Sequence, residues 1–214
     1  MPAALIVASA ASADDSRETL RLQDICGILT ASGWEVDLLV PRRSELLSVT
    51  LPPEVRVAAV PHWGLASAPP RRPSVRRLVT GIFMFLRGTA LVSRRAYTLV
   101  HALNGGGAIV RAIDRATLRH FVYVADYTSP CGVRGLYRGV RAWVARHLEQ
   151  GAMRHAAAVV FADESSYLLL EKRPPAARVS IIPDPHAEIS PDAFTRAEFA
   201  DALAKVYSYA TRTD

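Results

Sequence analysis

The chain has 214 residues, half of them hydrophobic, with a mean hydropathy of +0.13. That composition excludes a disordered chain, and the length allows one large core or two small ones. The net charge of +6 rests almost wholly on arginine, Lys172 and Lys205 being the only lysines, and the two cysteines, Cys26 and Cys131, are too far apart for a metal or redox spacing. Such thiols are expected to be inert in a reducing compartment.

The opening MPAALIVASAASA has the small residues of a signal peptide but no basic leader, and residues 3–9 read instead as a buried strand. No stretch reaches the ~18 apolar residues of a spanning helix. The segment SADDS then starts a helix, with Asp15 as cap and Glu18 three residues on. Leu22, Ile25, Cys26 and Leu29 share one face of it, and Gly33 stops it. Residues 34–40 form a second strand ended by Pro41, which completes a βαβ unit with parallel pairing. Residues 55–60 are a third strand, 64–73 a loop, and 74–95 a helix interrupted by Gly81 and Gly88. A strand from Tyr97 ends in His101; Asn104 and three glycines then lead into a helix over about 108–117. Further strands at 120–125, 157–162 and 179–182 alternate with helices at 135–155 and 164–171, with a loop at 127–135. Ser190 and Pro191 open a final helix whose apolar positions are Phe194, Phe199, Leu203 and Val206. This alternation predicts a single Rossmann-like α/β domain, a mostly parallel sheet with helices on both faces. Residues 1–189 make the domain, and 190–214 a C-terminal helix packing back on it.

In an open α/β sheet, ligands bind in the crevice beyond the carboxyl ends of the strands. His101, Asn104, Gly105, Gly106, Gly107, Asp126, Tyr127, Asp163 and Glu164 are expected at that edge. His101 reads equally as a partner for a ligand hydroxyl or phosphate and as a satisfied histidine at the sheet edge. The glycine loop opens a helix N-terminus that favours an anion. It lacks a P-loop lysine, and Val110 stands where the last glycine of G-x-G-x-x-G belongs. A tight turn that uses glycine's conformational freedom explains it better. Asp163 and Glu164 read as cleft acids or as caps. No metal-ligand spacing and no G-x-S-x-G elbow occurs. No acidic residue lies between Glu54 and Asp114, a span that holds Arg56, Arg71, Arg72, Arg76, Arg77, Arg87, Arg94, Arg95 and Arg111. An apolar run flanked by such arginines suits a helix in an anionic membrane interface, or a core helix with a solvated arginine end. Nucleic acid is not expected, because no groove-reading motif or stacking platform accompanies the charge.

YTLVHALN, HFVYVADYT, LEQGAMRHAAAVVFADESSYLLL and RVSIIPDPHAEISPDAF, in that order, resemble four blocks of family 4 glycosyltransferases. YTLVHALN is similar to the strand ending in His-Ala-His, and HFVYVADYT to the strand ending in His-Asp. LEQGAMRHAAAVVFADESSYLLL resembles the helix, Ala-Asp and serine block, and RVSIIPDPHAEISPDAF the hinge that closes the N-terminal half. The tail TRAEFADALAKVYSYA looks like the family's C-terminal helix, which crosses back onto the first domain. The resemblance implies the acceptor-side half of a GT-B fold, with Asp126 as catalytic residue. It further implies sugar transfer from a nucleotide-sugar to a hydroxyl acceptor with a donor-binding partner, and no cofactor or metal. Against the pattern, the Gly-Gly loop is SADDS, the second histidine is Leu103, the histidine of His-Asp is Ala125, and the hinge Asn-Gly is Asp184-Pro185. Whether the chain is an enzyme is therefore left open, a non-catalytic binding or regulatory module being the alternative. Self-association, a lipid-linked acceptor and a cytoplasmic location at the inner membrane face complete the expectations.

Overall fold

The strands alternate hydrophobic side chains on both faces, and that pattern dictates a sheet covered on each side. In the computed structural model, residues 1–9, 16–42, 50–61, 75–119, 121–128, 140–168, 170, 172–186 and 194–212 are described. Their elements are β1 (Ala3–Ala8), α1 (Ser16–Ala31), β2 (Glu35–Pro41), β3 (Arg56–Val60), α2 (Val75–Arg94), β4 (Leu99–Leu103), α3 (Gly106–Thr117), β5 (Tyr123–Tyr127), α4 (Val140–His155), β6 (Ala158–Phe161), α5 (Glu164–Leu168), β7 (Val179–Ile181) and α6 (Arg196–Ala210). The sheet is parallel throughout, in the order β3-β2-β1-β4-β5-β6-β7.

Two cores follow from the pleat. Ala4, Ile6, Leu38, Leu99, Val124 and Val160 face α1 and α6, meeting Leu22, Ile25, Leu29, Phe199, Leu203 and Val206. Leu5, Val7, Val100, Ala102, Ala125 and Val159 face α2, α3 and α4, meeting Met84, Val110, Ile113 and Met153. Helix α1 ends as Gly33 enters the left-handed region at φ 79°, where its N–H bonds Thr30 and that of Trp34 bonds Leu29.

Three readings are corrected. Helix α2 runs unbroken through both glycines, and Gly88 is where it crosses Ile113 and Leu39, leaving no room for a Cβ. Strands β4 and β5 run two residues further than expected, so His101 and Asp126 lie inside strands rather than at their ends. The last helix starts at Arg196, capped by Thr195, whose hydroxyl accepts from the Glu198 N–H while Glu198 accepts from the Thr195 N–H. Asp15, the 64–73 loop, Arg71, Arg72, Cys131, Ser190 and Pro191 lie outside the described residues.

Candidate functional site

Side-chain alternation sends His101 and Asp126 to the α1/α6 face, on neighbouring strands where His101 pairs Val124. Arg21 of α1 reaches them because it belongs to the same apolar stripe as Leu22, Ile25 and Leu29. All three polar side chains are fully buried. Arg21 donates from Nε and Nη2 to the two carboxylate oxygens of Asp126, both at 3.0 Å, and from Nη1 to the Ile182 carbonyl at 3.4 Å. His101 Nε2 stands 3.4 Å from Asp126 Oδ2, and its Nδ1 is 3.0 Å from the Tyr207 hydroxyl of α6. With the ring proton on Nε2, Nδ1 accepts from Tyr207. The Phe199 ring covers the guanidinium at 4.9 Å.

Burial pushes the Asp126 carboxyl up, but the Arg21 charge, aided by His101, outweighs it and holds the group below the usual carboxylate range. Burial and the Asp126 charge push the Tyr207 hydroxyl well up, and burial pushes the Cys26 thiol up to about 12. Asp126 and His101 were expected to face the crevice. Both instead point into the core, and both Asp126 oxygens are taken by a guanidinium. Arg21 and Tyr207 were not singled out from sequence. An arginine inside an apolar helical stripe, and a tyrosine one residue past Val206 in another, are the signals that find them.

The carboxyl edge itself is built by Asn104. Its backbone is left-handed at φ 48°, which turns the chain from β4 into α3. Its side chain ties β4 to β5, Oδ1 accepting from the Thr128 N–H and Nδ2 donating to Thr128 Oγ1, both at 3.0 Å. Gly105 is helical at φ −59°, so the glycines are not required for turn freedom. Space is what constrains them, most firmly at Gly106, which meets backbone. A Cβ at Gly106 would run into the Val7 carbonyl, one at Gly105 would lie 2.6 Å from Ser9 Oγ, and one at Gly107 would lie 3.1 Å from Ala152 Cβ and Tyr127 Oη. Tyr127 is not at the edge either; it is buried in the α2–α4 core, stacked on Phe161. Asp163 caps α5, accepting from the Ser166 N–H at 2.6 Å, Ser166 Oγ at 2.7 Å and Ser165 Oγ. Burial raises its pKa, but the serine hydrogen bonds prevail and lower it. Glu164 is exposed beside it.

The arginine surface divides. Arg95 is turned away from it, bonding Glu35 at 2.7 Å and Asp37 at 3.4 Å, because the start of β2 places two acids beside the end of α2. Arg87 and Arg94 are exposed, as are Leu78, Ile82, Phe83 and Leu86 on the outer face of α2; Arg76 and Arg77 lie in its first turns. A separate open groove of about 800 Å³ runs between α1, α6 and residues 50–53, and includes Asp24 and Arg196. Among the described residues, no helix is long and apolar enough to cross a membrane, and no group of three or more His, Cys, Asp or Glu is placed to hold a metal.

No curated protein sequence matches the chain. Among solved structures, it is similar to one form of sucrose-phosphate synthase from Thermosynechococcus elongatus, with TM-score 0.62, 16% identity, and coverage of 97% of this chain and 98% of that one. A fuller form of the same synthase matches with TM-score 0.62 and 18% identity, over 86% of this chain and 48% of that one. The UDP-GlcNAc 2-epimerase of Methanocaldococcus jannaschii gives TM-score 0.55 at 8% identity, over 100% of this chain and 50% of that one. The chain thus spans about half the length of the two fuller proteins, and these likenesses give it the Rossmann-like half of a GT-B fold. A family model for the glycosyl transferase 4-like domain matches residues 19–185, from the first turn of α1 to the turn after β7. The protein belongs to the glycosyl transferase 4-like domain family.

Proposed function

We propose that the chain is the acceptor-side half of a GT-B glycosyltransferase, transferring sugar from a nucleotide-sugar to a hydroxyl acceptor together with a donor-binding partner. The family match over residues 19–185 carries the reading, since it takes in the whole carboxyl edge from Asn104 to Asp163. In this reading Asn104, Thr128, Asp163 and Glu164 offer the acceptor hydrogen bonds. Gly105, Gly106 and Gly107 set α3 close to β1, and the Arg21–Asp126 pair fixes the strands beneath.

Saturation-transfer NMR tests it, with simple sugars and polyols as acceptor probes and UDP-glucose and GDP-mannose as donor probes. Acceptor-class binding that Asn104→Ala weakens supports the reading. Tight nucleotide-sugar binding by the chain alone would overturn it.

A second reading, a binding or regulatory module without chemistry, is favoured by one observation: Asp126 has both oxygens on a buried arginine. Adding a donor-binding domain separates the two. Labelled sugar on an acceptor supports catalysis, and acceptor binding without transfer supports the module.

The outer face of α2 supports a peripheral site on the cytoplasmic leaflet and a lipid-linked acceptor. Leu78, Ile82 and Leu86 recur every fourth residue, with Arg87 and Arg94 beside them. Salt-sensitive binding to anionic liposomes, lost when the α2 arginines Arg76, Arg77, Arg87 and Arg94 become serine, is the expected result. No binding at low salt would remove the membrane from the proposal.

A further inference from the structure

Helices α2, α3 and α4 cover one face of the sheet, and α3 packs between the other two. On the side turned away from the sheet, α2 and α4 are apolar. Leu78, Ile82, Phe83 and Leu86 of α2 are exposed, opposite the buried Met84 and Val92, and Trp143, Val144 and Leu148 of α4 are exposed, opposite the buried Met153. Seven of the twelve large hydrophobic side chains exposed among the described residues thus stand on these two helices, so they are not the scattered single residues that any surface carries. Between them α3 shows Ala112 and Ala116, too short to stand as a barrier. Both helices start at the carboxyl edge, since each follows a strand of the parallel sheet, β3 and β5. The exposed apolar residues fall at 78–86 of α2 and 143–148 of α4, toward the ends nearer that edge.

Charge narrows the partner. The three helices hold nine arginines against two acids, Asp114 and Glu149, and Glu149 is buried. A second copy of the chain docked face to face here would set arginine against arginine, whereas an anionic surface is complementary. Shape narrows it further. The apolar residues form two ridges separated by two helix spacings, roughly 16–20 Å, which suits a broad, deformable partner rather than one helix in a groove. The groove between α1 and α6 lies on the other face of the sheet. Trp143 adds a third mark: its indole stacks on the His147 ring, with centroids 5.4 Å apart and planes at 17°, yet the residue stays 60% exposed. An indole is apolar in its body and polar at its N–H, which suits the boundary between acyl chains and headgroups.

We propose that α2 and α4 dock together on an anionic lipid bilayer, with Trp143 at headgroup depth, and that this docking tilts the carboxyl edge of the sheet toward the lipid. The inference rests on the peripheral reading of α2 and adds to it a second contact and an orientation. An acceptor hydroxyl carried on a lipid headgroup then meets the Asn104–Thr128 edge without leaving the interface.

Vesicles of phosphatidylcholine, with and without phosphatidylglycerol, are the probe. The full chain is expected to co-sediment with the anionic vesicles and not with the neutral ones. Trp143→Ser/Leu148→Ser and Ile82→Ser/Leu86→Ser are each expected to weaken that binding about tenfold or more, because these exposed side chains bury apolar surface only in the bilayer. Leu118→Ser/Tyr209→Ser, which removes two exposed apolar side chains from the end of α3 and from α6, is expected to bind as the parent does. With brominated phosphatidylcholine in the vesicles, tryptophan emission should be quenched in the parent and largely spared in Trp143→Phe, which keeps Trp34 and Trp63. Binding weakened by the α2 pair but not by the α4 pair, or quenching that survives in Trp143→Phe, would overturn the two-helix surface and leave the α2 reading standing. Binding that depends on the arginines but on neither apolar pair would mark a purely electrostatic face, of the kind an acidic protein uses, and would overturn it as well. No binding by the parent at low salt would remove both readings.

Discussion

Arg21 and Asp126 stand 105 positions apart and share two hydrogen bonds with no exposed surface on either side chain. Removing one member of such a pair leaves a buried charge alone, which costs about 3–5 kcal/mol, whereas replacing both by apolar residues is often neutral. Arg21→Met is therefore expected to lose most of the chain's margin in urea unfolding, and Arg21→Met/Asp126→Leu to recover most of it. The acid side follows from linkage. The folded Asp126 carboxyl lies below its unfolded value, so the pair's contribution is complete above about pH 4 and is lost as the pH falls through the folded value. The parent should thus lose stability in acid relative to the double variant, which has no such carboxyl to protonate, and should approach Arg21→Met, whose lone buried acid is relieved by protonation. A cost below about 1 kcal/mol for Arg21→Met would show that the ion pair is not what ties α1 to β5. The sequence makes Asp126 visible as an acid near a strand end, but not its partner. The partner comes from another helix, and a two-residue error in where a strand stops separates a crevice acid from a core one.

At the scale of elements, the passage from β4 to α3 shows the same limit. Asn104 and the glycines mark a turn in the sequence, and the turn is there. The reason for the glycines is not local. Helix α3 starts against β1, so close that the Val7 carbonyl occupies the place of a side chain at position 106. Overpacking of this kind costs typically 1–3 kcal/mol, and a backbone carbonyl inside a sheet has little freedom to give way. Gly106→Ala is therefore expected at the upper end of that range by chemical denaturation. Gly81→Ala, where nothing lies near, should be neutral to stabilising by up to about 1 kcal/mol. Equal effects at the two sites would mean that conformational freedom, not space, selects glycine. The order of strands and helices was legible because periodicity and punctuation are local signals. The exact ends were not: β4 and β5 run on past His101 and Ala125, and the Thr195–Glu198 capping box starts α6 five residues after the Ser190 signal.

For the molecule as a whole, the two faces of the sheet are closed by different means. On one, α2, α3 and α4 pack side by side as the crossovers between successive strands. On the other, α1 alone follows from the crossovers, and α6 arrives from the end of the chain to complete the cover. Its hold is both apolar and polar: Phe199, Leu203, Val206, Tyr207 and Ala210 are buried, Phe199 lies over Arg21, and the Tyr207 hydroxyl bonds His101 Nδ1. A helix attached only by its apolar stripe can open by itself, whereas opening α6 leaves His101 Nδ1 unbonded and exposes the Arg21–Asp126 pair. Opening free energies within one protein range from near zero to the global value, and contiguous units open together. The buried amides of α6, around Leu203 to Tyr207, are accordingly expected to exchange with the same free energy and denaturant dependence as those of β1 and β4. The outer half of α2, where Leu78, Ile82 and Leu86 face solvent, should exchange more easily. Native-state hydrogen exchange decides it. If α6 exchanges at a small fraction of the global free energy while β4 stays protected, the tail helix is a detachable cover, and the buried polar network does not bind it to the sheet.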